Sequence, residues 1–362
     1  MTRSAVASVD VAAVRHNLTV VRQLSPQSKI LAVIKANGYG HGIVRIARAL
    51  SGADGFGVAH LEEALALRAA RIDKPIIVLQ GFSDALELQT MVEHRLEPVI
   101  HQFEHIEMLE STVLARPLTV WQKINTGMHR LGFALDDALK AWQRLRACSQ
   151  VDAIRLMTHF ANSDVPGDSF TLQQLELFDR ITAGLPGERS VANSAGVLLW
   201  PQSRMDWVRP GVMLYGISPV AGTDAAALNL RPAMTLTGRV IAINAVRQGA
   251  RVGYGGAWTA TADTHVGVVG IGYGDGYPRH ARSGTPVLVN GQRVPLVGRV
   301  SMDMLCVDLG PAPTVKVGDA VVAWGVGLPV EEIAQSSLTI PYELVCKVTP
   351  RVHIVEQDHG QG

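Results

Sequence analysis

Between Ile30 and Arg209 the chain repeats one unit: a short apolar run followed, in most cases, by a stretch with helical periodicity. The runs are ILAVIK (30–35), GFGV (55–58), PIIVL (75–79), EPVI (97–100), LTVWQKI (118–124), AIRLMTHF (153–160), SVANS (190–194) and MDWVR (205–209). Between them lie IVRIARAL, LEEALALRAA, ALELQTMVEH, FEHIEMLEST, DDALKAWQRLRA and TLQQLELFDRI. A strand apolar on both faces is buried on both faces, which is the condition of a parallel sheet covered by helices. Eight such units predict a (β/α)8 barrel of the TIM type, with an open doubly wound sheet as the alternative.

After Gly222 the texture changes. TLTGRVIAINAV, HVGVVGIGY, TPVLVNGQRVPLVGRVSMDMLCVDL and DAVVAW are rich in valine and isoleucine, and several alternate with period two. Asn290-Gly291 between two such runs predicts a tight hairpin. Only PVEEIAQSS and PYELVCK read as short helices. The expected fold class is therefore α/β, with a barrel over 1–222, a linker over Pro219–Pro232 and a mostly β domain over 223–362.

Of the 362 residues, 47% are apolar and 18% charged, and the net charge is +1, as in an ordinary globular protein. That balance gives no electrostatic case for nucleic acid, and no basic run suits a membrane surface. The longest near-apolar run, Ala320 to Val330, holds two glycines and a proline and is too short to span a bilayer. At the N-terminus Asp10, Arg15 and His16 interrupt any signal-like apolar core, so a cytoplasmic location is expected. Cys148, Cys306 and Cys346 form no CxxC pair, and neither a disulfide framework nor a thiolate metal site is indicated.

Barrel enzymes place their chemistry at the carboxyl ends of the strands. Here those ends carry Lys35, then Asn125 and Arg130, His159, Asn193-Ser194 and Arg209-Pro210-Gly211. The first is the most unusual: VIKANGYGHG sets a lysine after an apolar run and continues into three glycines separated by Tyr39 and His41. A solvated lysine closing an ordinary βα loop is one reading, and an amine held near a phosphate or carbonyl ligand is the other. Ser194 opens a turn into AGVLLW and Gly211 comes after the eighth strand, and the loops after strands seven and eight are the common phosphate site of such barrels. A phosphate there and a lysine at the end of the first strand fit pyridoxal phosphate, whose aldehyde condenses with a lysine amine.

The motifs AVIKANGYGHG, KINTGMHRLGF, THFANSD, ANSAG, VRPGVMLYG, RVGYGGAW, GYGDGYPR, GRVSMDM and PYEL occur in the order found in bacterial alanine racemases, the fold type III pyridoxal phosphate enzymes. The resemblance runs through both predicted domains. It implies that Lys35 holds the cofactor and acts as one acid–base group, and that Tyr254, supplied by the partner subunit of a homodimer, is the other. It further implies that Tyr39, Asn193, Ser194, Gly211, Val212 and Tyr342 hold the cofactor, its phosphate above all, with Arg209 against the pyridine nitrogen and His159 beside it. Arg130 corresponds to the residue that meets the cofactor's phenolic oxygen and the substrate carboxylate, and Met302 and Asp303 to partner residues near the substrate. Lys123 corresponds to a lysine carbamylated in many members. Asp164, Tyr273, Arg279, Arg299 and Ile340 correspond to positions lining the entrance channel.

Two positions depart from the pattern: Asn125 stands where an aspartate is common and Ser301 where many members have cysteine. Two other activities compete. A related decarboxylase of basic amino acids would need a cysteine-bearing partner loop and a glycine-rich phosphate motif that this sequence does not show. A non-catalytic pyridoxal phosphate carrier would lack the second domain. The expected activity is interconversion of L- and D-alanine, serving peptidoglycan synthesis or alanine catabolism.

Overall fold

The computed structural model describes residues 5–220 and 222–358; Ala221, within the predicted linker, lies outside them. The chain opens with β1 (Val6–Asp10) and α1 (Val11–Leu24), and the barrel strands come next: β2 (Lys29–Val33), β3 (Gly55–Val58), β4 (Ile76–Val78), β5 (Leu96–Ile100), β6 (Leu118–Lys123), β7 (Val151–Met157), β8 (Arg189–Ser190) and β9 (Trp207–Val208). They pair in parallel in chain order and close through β9 on β2, with Lys29 opposite Trp207. The sequence pattern thus gives a closed barrel, not an open sheet.

The crossovers carry α2 (Ile43–Ala49), α3 (Leu61–Ala69), α4 (Ala85–Glu93), α5 (Phe103–Ser111), α6 (Leu135–Ala147), α7 (Ser169–Thr182) and α8 (Ser194–Leu199). Several helix starts are fixed by acceptor side chains. Asp84 Oδ1 accepts the N–H groups of Leu86 and Glu87, each at 2.9 Å, and Asp168 Oδ2 accepts that of Thr171 at 3.0 Å. In α6, Asp136 and Asp137 occupy the first turn and Arg144 and Arg146 the last, as the helix dipole favours.

Leu31, Ile77, Val99, Trp121, Met157 and Trp207 fill the barrel, none more than 2% exposed. Each such side chain contributes roughly 1.5–3 kcal/mol of burial, so this layer is a packed core and ligands are left to the rim. Beneath it, toward the strand N-termini, lies a closed charge network. Arg155 donates to Glu97 at 2.5 Å and to Glu188 at 2.7 Å, Lys29 to Glu188 at 2.5 Å, and the indoles of Trp121 and Trp207 donate to Glu97 and Glu188.

The β unit continues through β10 (Met234–Val246), β11 (Arg251–Val252), β12 (Trp258–Thr259), β13 (Thr264–Val269), β14 (Pro286–Val289), β15 (Gln292–Pro295), β16 (Leu305–Asp308) and β17 (Ala320–Trp324). Helices α9 (Val330–Ser336) and α10 (Pro341–Cys346) precede β18 (His353–Gln357). Its main sheet runs β15-β14-β17-β10-β1-β18, with β13 paired to β10 and β16. Asn290 and Gly291, both at positive φ, join β14 to β15 as the predicted hairpin.

The division into units differs from the sequence boundary at 222. One unit comprises Arg15–Leu214 with Ser218–Thr223, and the other Met1–Val14, Tyr215–Ile217 and Asp224–Gly362. The physical reason is β1, which pairs antiparallel with β10 and parallel with β18. Its alternate residues Ala7 and Val9 are fully buried, the period of a sheet strand and not of a barrel crossover.

Candidate active site

Strand β2 ends at Val33, so Lys35 lies beyond the ladder and not at the strand end that the sequence suggests. The backbone after Lys35 makes one left-handed turn: Ala36, Asn37, Gly38 and Tyr39 all have φ between 50° and 62°. For three non-glycine residues this conformation costs about 1–2 kcal/mol each, and strain of that kind persists only where its surroundings fix it. The fixtures are specific. Asn37 Oδ1 accepts the Ile43 N–H at 3.0 Å, and Glu63 bridges the N–H groups of Asn37 and Ala59. The fully buried His41 directs Nδ1 at the carbonyls of Tyr39 (2.8 Å) and Gly38 (3.1 Å). Burial lowers the His41 pKa to about 4, so the ring is neutral and Nδ1 is its N–H donor. The turn leaves Lys35 half-buried and swings Tyr39 inward to 8% exposure.

The Tyr39 ring ends over Gly211, where a Cβ would come 2.7 Å from the tyrosine oxygen. Only glycine allows that approach. Ser194 Oγ accepts the N–H of Gly211 at 2.8 Å and that of Met213 at 3.4 Å. Strand β8 ends at Ser190 and β9 at Val208, so Ser194 and Arg209, which the sequence pattern sets at strand ends, lie past them. Two hydroxyls and a glycine backbone therefore meet in the loops beyond these two strands. Val212 is buried beside them. Asn193 caps α8 through Oδ1, which accepts from Gly196 N and Ser163 Oγ, each at 2.9 Å. The hydroxyls, the side-chain-free backbone and the nearby cations fit a phosphate.

Arg209 is 4% exposed and spends its guanidinium on protein: Nη1 on Ser190 Oγ at 2.7 Å, Nη2 on the carbonyls of Thr158 (2.5 Å) and Val191 (3.2 Å). Burial draws its pKa down to about 10, leaving it charged at neutral pH. The same Nη2 lies 3.4 Å from His159 Nδ1. The His159 pKa is held well below its ordinary value by burial and then by Arg209, Lys123, Arg130 and Lys35, so Nδ1 faces a cation as an acceptor.

Lys123, the last residue of β6, is 8% exposed. Burial first, then Arg209, Arg130 and Lys35, push its pKa down to about 7. Every charge acting on it is positive. The loop after it carries the exposed Arg130, and Asn125 organises that loop: its Oδ1 accepts the N–H groups of Gly127 and His129, at 3.1 and 3.0 Å. An aspartate could accept the same two bonds, which explains how asparagine serves at this position. Asp164 is exposed in the loop after β7.

The remaining predicted residues belong to the β unit. Tyr254 is 68% exposed on a turn whose flanking glycines 253, 255 and 256 all have positive φ. Met302 is 53% exposed. Asp303, Arg279 and Arg299 are also exposed, and Tyr273 and Tyr342 half-exposed. Ile340 is exposed just before α10. Ser301 accepts Tyr273 N–H through its carbonyl at 3.0 Å, a contact its side chain does not enter. Residues the sequence reading passed over are Thr126, Thr158, Gln174 and Ser190, all buried polar groups behind the site. Gln174 carried a signal, an amide on the apolar stripe of α7; the others sit in runs where a buried hydroxyl cannot be told from an exposed one.

A barrel mouth with a lysine amine, a phosphate-sized cradle and a shielded arginine defines an enzyme class that works on small anionic molecules. Comparison with known proteins narrows it. Residues 9–219 match the family description "Alanine racemase, N-terminal domain" and residues 233–356 "Alanine racemase, C-terminal domain". An alanine racemase of Shewanella loihica is 54% identical over 343 residues, covering 94% of this chain and 96% of its own. The biosynthetic alanine racemase of Pseudomonas aeruginosa superposes with a TM-score of 0.96 at 45% identity, covering 98% of this chain and 100% of its own. That of Bartonella henselae, solved with covalently bound pyridoxal phosphate, has a TM-score of 0.88 at 29% identity, covering 98% of this chain and 99% of its own. The chain belongs to the alanine racemase family and is an isomerase that interconverts L- and D-alanine. Among the described residues no helix is long and apolar enough to cross a membrane.

Proposed function

We propose that this chain racemises alanine by two-base proton transfer at a pyridoxal phosphate site completed by a second copy of itself. The observation that carries the reading is the Tyr39–Ser194–Gly211 cradle lying in one barrel mouth with Lys35 and Arg209. Bound there, pyridoxal phosphate would supply an aldehyde for the amino group and a ring that spreads the negative charge left at the α-carbon.

Lys35 Nζ would hold the cofactor, and as a free amine would take or return the proton on one face of the alanine α-carbon. Tyr254 Oη of the second copy does so on the other face. Both are weak bases at their ordinary pKa values, so desolvation and neighbouring cations must tune them. Tyr39, Asn193, Ser194, Gly211, Val212 and Tyr342 hold the phosphate end of the cofactor. With the cofactor bound, Arg209 would stand at the ring nitrogen as a permanent donor, with His159 beside it. A cation fixed there would disfavour protonation of that nitrogen, so the ring would be a weaker electron sink and prompt return of the proton would be favoured.

Arg130 receives the substrate carboxylate, with Met302 and Asp303 of the second copy near it. Lys123, with a pKa near 7, is a neutral amine often enough to take up carbon dioxide as a carbamate, losing a proton and presenting a negative charge to Arg130. Asp164, Tyr273, Arg279, Arg299 and Ile340 line the entrance. A homodimer is supported by Tyr254, Met302 and Ile340, large apolar side chains more than half exposed on the β unit, of the kind that a partner covers. The enzyme is cytoplasmic on this reading, and supplies D-alanine for peptidoglycan or interconverts alanine in catabolism.

The test is incubation of cofactor-loaded protein with L-alanine in deuterated water, following chirality and α-deuteration together. D-Alanine carrying deuterium is expected, with a loss of at least about 10³-fold in Lys35→Ala. Retention of unexchanged L-alanine by the wild-type protein would refute the reading. Carbon dioxide released from ornithine, lysine or diaminopimelate would put a decarboxylase in its place.

A further inference from the structure

The polar groups behind His159 have no part in the chemistry just described, yet they converge on one side chain. Helix α7 buries Thr171, Gln174, Leu175, Phe178 and Thr182, the stripe expected of an amphipathic helix. Gln174 is an anomaly on that stripe, a primary amide at 0% exposure. Its Oε1 accepts the N–H of Ala161 at 2.8 Å, and its Nε2 donates to the carbonyl of His159 at 3.1 Å and to Thr126 Oγ1 at 3.3 Å. Thr126 Oγ1 in turn lies 2.8 Å from Thr158 Oγ1, and the Thr158 carbonyl accepts Arg209 Nη2.

We infer that Gln174 is a positioning residue for the racemase site, fixing His159 from the backbone side and tying its loop to the loop that carries Arg130. This rests on the proposed function, since His159, Arg209 and Arg130 have those roles only in that reading. Past the end of β7 the backbone leaves the ladder, and its buried polar groups need new partners. A primary amide suits the task because it offers an acceptor and two donors in one plane. It grips the chain on both sides of Phe160, at the His159 carbonyl and the Ala161 N–H, so the imidazole that meets Arg209 is aimed by its own backbone. The hydroxyl pair Thr126–Thr158 carries the same constraint across to the neighbouring strand end. Gln174 reaches neither substrate nor cofactor; glutamate could not replace it, because a carboxylate has no donor for the His159 carbonyl.

The experiment compares cofactor-loaded wild type, Gln174→Met, Gln174→Glu and Thr126→Val. It measures kcat and KM for alanine in both directions, the absorbance of the bound cofactor, and the pH profile of kcat/KM. Methionine keeps the volume and loses the three hydrogen bonds. It is expected to lower kcat about 10- to 100-fold, with KM changed less than about threefold, as misplacement of a site does. Gln174→Glu adds a negative charge at the His159 backbone, beside a ring that already faces Arg209, Lys123, Arg130 and Lys35, and is expected to move the acid limb of the profile upward. A merely structural residue would lower the melting temperature and leave both the limb and the absorbance in place. Thr126→Val removes the Thr126 hydroxyl and its bonds to Thr158 and Gln174 and leaves the Gln174 grip on the His159 loop, so it decides the matter should Gln174→Met fail to fold; about three- to tenfold loss of kcat is expected. Folded Gln174→Met, or failing that Thr126→Val, with wild-type kinetics, absorbance and pH profile overturns the proposal while the racemase reading stands. Wild-type protein that racemises no alanine overturns that reading and this proposal with it.

Discussion

The two ends of the barrel treat charge in opposite ways. At the floor, Lys29 and Arg155 meet Glu97 and Glu188, and Trp121 and Trp207 supply further donors to the same carboxylates. Burial alone would raise the Glu188 pKa. The hydrogen bonds from Lys29, Trp207 and Arg155, with the Arg155 charge, outweigh it and hold the pKa near 2. At the mouth, Lys35, Arg130 and Arg209 act on Lys123, and all four act on His159, with the same sign. Crowding like charges around the buried Lys123 and Arg209 has a cost, and the chain carries it at the end where an anion is to bind. Charges of opposite sign mark the end that holds the barrel together, and charges of like sign mark the end that works.

The sharpest break of this contrast is Arg155→Met. It leaves two partly buried carboxylates facing each other without their shared cation, and removing one partner of such a network costs about 3–5 kcal/mol. Calorimetry should show that loss, while alanine turnover at low temperature, per folded molecule, stays within about twofold of wild type, because no floor residue reaches the mouth. The wild-type floor has its own pH signature. Glu188 has a folded pKa below its unfolded value, so its contribution is complete above about pH 4.3 and is lost as the pH falls toward 2. In Arg155→Met that acid dependence should be much reduced. An unchanged melting temperature would reduce the floor to decoration.

Legibility in the sequence divides along the same line. The strands and crossover helices are readable because burial on both faces writes itself as unbroken apolar runs. Five of the eight barrel strand ends point to the mouth because lysine, arginine, histidine and serine are conspicuous there. The floor is not readable: Glu97, Arg155 and Glu188 are single charges within or beside apolar runs, and only the closure of the barrel brings them together. Strand β1 escapes for a similar reason. Its partners β10 and β18 close on it from more than 200 positions away, and nothing within its five residues announces them. Nor does the left-handed turn show itself; the glycines of NGYGHG imply a sharp reversal, but not that Ala36, Asn37 and Tyr39 share its handedness.

A smaller effect tests the mouth from the side of stability. The folded pKa of Lys123 is about 7, below its unfolded value. Between those values the unfolded chain binds more protons than the folded one, so stability attributable to this group rises with pH. Below pH 7 its protonated amine is a full liability. Lys123→Met in cofactor-free protein should therefore stabilise by about 1–3 kcal/mol at pH 6, and by clearly less at pH 9.5. A gain independent of pH would mean that packing, and not the crowding of like charges, sets the difference. Carbon dioxide provides a further control: bicarbonate added to the wild type should narrow the gap if the amine takes it up.

The mildest perturbation is Tyr39→Phe, which removes one oxygen from the cradle and nothing from the charge balance. The ring still fills its 8%-exposed place over Gly211, so folding of the cofactor-free protein should be nearly unaffected. Loss of one hydrogen bond to an anion corresponds to about 1.5–3 kcal/mol, or roughly a 10- to 150-fold weaker hold on pyridoxal phosphate. Pyridoxal lacking the phosphate gives the discriminating control, because without the anion there is no phosphate bond to lose and the two proteins should bind it alike. Equal weakening for both compounds would place Tyr39 against the ring instead of the phosphate. The cradle would then have to rest on Ser194 and the Gly211 backbone alone, and the cations of the mouth would carry more of the anion's binding than the hydroxyls do.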